Sequence, residues 1–76
     1  MIEVRFFGQL TDRTGCTSLY IEEASDTETL IRQLNERYPA LSGVKYMLAV
    51  DNRMINTNTT LSADCRVDLL PPFSGG

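Results

Sequence analysis

Histidine is absent, lysine occurs once, as Lys45, and cysteine twice, as Cys16 and Cys65. Each scarcity closes off a class of chemistry. Without histidine the usual acid–base group near neutral pH is missing. Two cysteines outside any CxxC pattern are too few for a structural zinc or a four-cysteine iron–sulfur site within one chain, and they read as reduced thiols. One lysine makes the chain poorly suited to isopeptide-linked polymers. No apolar run approaches the ~20 residues of a membrane span, and the N-terminal stretch lacks the basic region and apolar core of a signal peptide. A cytoplasmic location with no membrane partner is the expectation. The net charge of -3, with Arg5, Arg13, Arg32, Arg37, Lys45, Arg53 and Arg66 scattered among acids, argues against nucleic acid. A chain this poor in catalytic groups reads as a carrier or binding module. No catalytic or metal-ligating residue is assigned.

What is present is patterned. Seventy-six residues allow one compact core. Residues 2–8 alternate, with Ile2, Val4 and Phe6 on one side and Glu3, Arg5 and Phe7 on the other, as in a half-buried strand. A polar segment from Gln9 to Thr17, turning at Gly15, leads to a second strand around 18–22 with Leu19 and Ile21 inward. Ser25 with Glu28 fits a capping box, and Thr27 is an equally good N-cap. The following helix, to about Tyr38, carries an apolar stripe of Leu30, Ile31, Leu34 and Tyr38 and stops at Pro39. Alternation returns over 46–50, Asp51 and Asn52 suit a tight hairpin, and 53–55 form the return strand. A polar loop spans 56–60, pinned by Leu61. The last strand, 66–70, turns Val67 and Leu69 inward and Asp68 and Leu70 outward. Two hairpin-like pairs around one amphipathic helix predict an α+β fold, a mixed sheet with one main helix on one face, the β-grasp arrangement.

The remaining segment sets the function. Residues 1–70 make the domain and 71–76 a tail: Pro71, Pro72, Phe73, Ser74, Gly75 and Gly76. A Gly-Gly ending is by itself commonly a frayed terminus. Two prolines directly after an apolar strand are different, because they stop a sheet ladder and continue as a stiff, extended segment. At about 3.3 Å per residue the six residues reach about 20 Å, far enough to enter a partner's buried site. Small residues at the end let a terminal carboxylate pass a narrow channel. Phe7, Met47, Met54 and Leu70 all fall, by alternation, on the sheet face away from the helix. Because the first strand pairs with the last in this arrangement, they are expected to form an apolar docking patch beside the tail.

The opening Met1-Ile-Glu-Val-Arg-Phe-Phe-Gly-Gln-Leu10 and the ending Leu69-Leu-Pro-Pro-Phe-Ser-Gly-Gly76 resemble the small subunits of molybdopterin synthase, the MoaD-type sulfur carriers. The resemblance spans the whole chain, and its most specific part is the proline pair before the glycines. It implies a ubiquitin-like β-grasp protein without a bound cofactor. Its Gly76 would be adenylated by an E1-like adenylating enzyme using ATP and converted to a thiocarboxylate by a sulfur donor. Sulfur would then pass to cyclic pyranopterin monophosphate inside the large subunit of molybdopterin synthase, with which a heterotetramer is expected. Residues Pro71, Pro72, Phe73, Ser74 and Gly75 would give the tail its access. The family often has Gly-Asp-Glu-Val before its last strand, where this chain reads Asp64-Cys65-Arg66-Val67, and often Val where this chain has Phe73. Two other functions share the pattern: a sulfur carrier for thiazole or thiol-amino-acid biosynthesis, and a ubiquitin-like modifier joined to lysines.

Overall fold

The chain's first and last strands lie side by side and run the same way. In the computed structural model, which describes residues 1–72, β1 (Ile2–Phe6) pairs in parallel with β5 (Arg66–Leu70), setting Val4 opposite Val67 and Phe6 opposite Leu69. On its other edge β1 pairs antiparallel with β2 (Ser18–Ile21). β5 pairs antiparallel with β3 (Met47–Val50), and β3 with β4 (Arg53–Ile55). The sheet order is β2-β1-β5-β3-β4, so the last strand is central. This is the expected mixed sheet. Its hairpin turn has both Asp51 and Asn52 at positive φ, as the primed two-residue turns that match strand twist require.

One face is covered by α2 (Thr27–Arg37), whose Leu30 and Leu34 are buried against Ile2, Val4, Phe6, Val67 and Leu69. The stripe at spacings of three and four is what faces the sheet. Ile31 and Tyr38 pack at its margin, Tyr38 edge-on to Phe6 with ring centroids 6.1 Å apart. A short 3-10 helix at Pro39–Leu41 then inserts Leu41 into the core.

Two features differ from the sequence pattern. Where a polar connection is predicted from Gln9 to Thr17, residues Gln9–Thr14 form a helix, α1. Its one apolar residue, Leu10, is fully buried. Six residues with one apolar position carry no periodicity to read. The helix is held instead by hydroxyls, with Thr11 donating to Phe6 O and Thr14 to Leu10 O, and by Gly15 closing it in the left-handed region. The N-cap of α2 is neither Ser25 nor Thr27 but Asp26, whose carboxylate accepts from Thr29 N at 2.9 Å. The polar loop decides this. Asn58 Oδ1 accepts from the Thr27 hydroxyl and Glu28 N, and the Thr27 hydroxyl accepts from Thr59 N. Asn58 Nδ2 also donates to Asp26 Oδ2 at 3.0 Å. With Thr27 committed to the loop, the residue before it caps.

Hydrogen bonds from Thr29 and Asn58 hold the Asp26 carboxyl at about 2, below its ordinary 3.8. A depressed folded-state pKa stabilises above the unfolded value and is lost as pH falls through the folded one. The melting temperature is therefore expected to fall as pH drops from about 4 to about 2. An Asp26→Asn variant, followed by circular dichroism, should show a smaller fall over that window and a lower melting temperature at pH near 7.

Candidate functional site

Cross-strand pairing arranges the open face of the sheet in rows. At the end where β1 and β5 both finish, Met47 stands opposite Leu70. Phe7, whose N–H donates to Leu69 O at 3.1 Å, continues the register beside Leu70. Phe7, Leu70 and Met47 thus form one half-buried apolar row. Met54, exposed, stands opposite Ala49 in the next row, toward the β4 edge. Three of the four patch residues are brought together in a line, and the fourth adjoins it.

The row containing Ala49 and Met54 also carries an ion pair. Arg5 Nε and Nη2 donate to Asp68 Oδ1 and Oδ2 at 2.8 and 3.2 Å, and Arg66 Nε lies 3.8 Å from the same carboxylate. The hydrogen bond to Asp68 raises the Arg5 pKa. Asp68 points away from α2, as the alternation predicts, yet it is only 6% exposed. The reason is its place on the central strand, where two arginine stems cover it. The Arg5 guanidinium also sits 5.2 Å from the centre of the Phe7 ring, which ties the ionic row to the apolar one.

Just beyond this face the chain passes through Pro71 and Pro72. Pro71 is half-buried against Gly8, and Pro72 is exposed. Phe73, Ser74, Gly75 and Gly76 lie outside the described residues. Gly8 is the neighbour that sequence reasoning did not single out. Its signal, a glycine closing the first strand, gains meaning only once β5 is set beside it.

The remaining candidates lie elsewhere. Cys65 is buried in the core, and Cys16 is half-buried with Sγ 3.7 Å from the Tyr38 hydroxyl, a contact that raises the Tyr38 pKa. Among the described residues, no group of three or more His, Cys, Asp or Glu could hold a metal ion, and no helix is long and apolar enough to cross a membrane. An open groove of about 880 Å³ lies on the helix side, between α2 and the β3–β4 hairpin, over Ile31, Tyr46, Leu48 and Ile55. Burial there pushes the Tyr46 phenol up. Met47 also lines it, whereas neither Pro71 nor Pro72 does.

Comparison with known proteins gives a consistent result. Residues 4–76 match the ThiS family. A molybdopterin synthase sulfur carrier subunit from Caenorhabditis briggsae is 33% identical over 81 residues, spanning 99% of this chain and 96% of that protein. A chain in the complex of subunits 1 and 2 of molybdopterin-converting factor from Helicobacter pylori is 32% identical. Its TM-score is 0.70, and the match covers 99% of this chain and 97% of that one. Small archaeal modifier protein 1 from Methanosarcina acetivorans superposes with a TM-score of 0.84 over 99% of this chain and 95% of that one, at 21% identity, which speaks to the fold.

The two faces of β5 are separable by substitution. Leu69→Ala, beneath α2, is expected to cost about 2–5 kcal/mol of unfolding free energy, and Leu70→Ser, on the open face, under about 1 kcal/mol. Urea denaturation of the two variants gives the ranking, and the reverse order would put Leu70 in the core.

Proposed function

This chain belongs to the ThiS family, and from that premise we propose that it is the sulfur-carrying small subunit of a molybdopterin synthase. Gly76 carries the cargo: adenylation activates its carboxylate, and exchange for sulfur turns it into a thiocarboxylate that serves cyclic pyranopterin monophosphate. The observation that carries this beyond family membership is the placement of Phe7, Leu70 and Met47 in one apolar row beside Pro71. A docking surface and the base of the tail share one end of the sheet. The two relatives near one-third identity, one of them a chain in a complex of two subunits, support a large-subunit partner; the assembly proposed with it is a heterotetramer.

The division of labour follows from the chemistry. A terminal carboxylate, with a reference pKa of about 3.5, is ionised at neutral pH and resists nucleophiles. Attack of a carboxylate oxygen on the α-phosphorus of ATP expels pyrophosphate and leaves a mixed anhydride with AMP. Sulfur at the oxidation level of sulfide then attacks the acyl carbon; the carbon–sulfur bond forms as the anhydride C–O bond breaks, and AMP leaves. Gly75 and Gly76 supply access and backbone freedom. The E1-like enzyme supplies the ATP site and the acid–base groups, and the large subunit supplies the catalytic site for the pterin. This chain supplies the acyl carbon and the docking face, in the cytoplasm where those partners work.

Incubation with ATP, an activating enzyme and a sulfide source is expected to add about 16 Da to the intact mass, the exchange of one oxygen for sulfur. Conjugates to lysines of other proteins instead would identify a modifier. Deleting Gly76 is expected to abolish the gain and leave the melting temperature unchanged; activity without Gly76 would overturn the proposal.

Docking is tested separately. Phe7→Asp or Leu70→Asp is expected to weaken binding of the large subunit by about 30-fold, as for a central hot spot. Unchanged affinity in both folded variants would remove the apolar row from the interface.

A further inference from the structure

The β1–β5 ladder ends on both strands at once. Its last bond is Phe7 N to Leu69 O. Past it, the Phe7 carbonyl turns aside to accept from Leu10 N at 3.1 Å, and Gly8, at φ +58, carries the chain into α1. Opposite Gly8 in the continued register stands Pro71, which has no N–H to extend the ladder. The proline ring fills the space where a side chain on Gly8 would be. A Cβ built there would lie 2.6 Å from Pro71 Cγ and 3.5 Å from Pro71 Cδ, closer at the first than real Cβ contacts come. The obstructing atom belongs to a ring fused to the backbone, so relief comes from a change of ring pucker or from movement of the main chain at Pro71.

We propose that Gly8 is the positioning residue of the tail, a steric seat for Pro71 that fixes the direction in which the chain leaves the sheet. Proline's fixed φ makes the seat directional: once the ring is placed, the heading at Pro72 is largely determined. Five residues follow Pro71, at most about 17 Å of extended chain, so the direction taken at the ring bears on where their far end can reach. Misplacement of a reacting atom by about 1 Å costs about 100-fold in rate. The consequence for sulfur transfer rests on the carrier function proposed above, whereas the seat itself rests on the Gly8–Pro71 contact.

The test is a double-substitution cycle, Gly8→Ala and Pro71→Ala, read two ways. By NMR, the unmodified protein is expected to show contacts between the Gly8 Hα protons and the Pro71 ring. In Gly8→Ala, the Cα–Hα residual dipolar couplings of Pro71 and Pro72 are expected to change while those of Val4 and Val67 stay. Kinetically, Gly8→Ala is expected to lower kcat for sulfur transfer by about 100-fold with KM for the large subunit moved less than about 3-fold. Pro71→Ala removes the ring atoms that clash but leaves any backbone strain at position 8. The double variant is therefore expected to regain at least about tenfold over Gly8→Ala, where strain alone would give no rescue. Absence of the Gly8–Pro71 contact, unchanged couplings in Gly8→Ala, or simple additivity of the two losses would overturn the proposal. If Gly8→Ala does not fold, Pro71→Ala carries the same reading: altered couplings at Pro72 support the seat and unaltered ones overturn it. Failure of the unmodified chain to gain sulfur would overturn the carrier function, and the couplings would still decide the seat.

Discussion

Parallel pairing of the first strand with the last is the constraint from which the rest of the structure follows. It puts β5 in the middle of the sheet, where Val67 and Leu69 are fully buried, and joins residues 63 positions apart, as in the Arg5–Asp68 pair. A central strand has neighbours on both edges and can leave the sheet only at its end. Because β1 and β5 are parallel, that end is also where β1 turns away at Gly8. Residues past Leu70 therefore emerge at a fixed corner of the domain, beside Phe7 and Met47.

The two sheet faces divide the tasks of stability and contact. Beneath α2 the side chains are apolar and closed to solvent, and they supply the hydrophobic free energy on which a domain this small depends. The open face is neither dry nor wholly polar. Its ion pair is shielded on the central strand, and cutting one partner of such a pair costs more than the pair contributes, because a charge is left without compensation. Arg5 also stacks on Phe7, so the ionic row steadies the apolar row at the tail's base.

The start of α2 is organised by different means. There the loop at 56–60 is stitched to the start of α2 by Asn58, Thr59 and the buried Thr27 hydroxyl, and Leu61 N donates to Ser25 O at 3.0 Å. These bonds satisfy orphan amides of the first helical turn, which would otherwise need water. They also fix the start of α2 against the sheet, on the face opposite Phe7 and Leu70.

Elements whose signals are periodic or local can be read from the chain before it is folded. Alternation in Ile2–Phe6 and Arg66–Leu70, the three-and-four spacing from Leu30 to Tyr38, the left-handed pair Asp51 and Asn52, and the stop at Pro71 are legible because each depends on neighbours within a few residues. The family resemblance, borne by the two ends of the chain, agrees with the comparisons across residues 4–76. Tertiary structure alone decided the rest. Helix α1 forms because Leu10 finds a place in the core, Asp26 caps because Asn58 has claimed Thr27, and Asp68 is covered because two arginines close over the central strand. Gly8 acquires a role only when Pro71 is laid against it. In each case the deciding contact joins segments distant in the chain, and local sequence carries no record of a neighbour that only folding supplies.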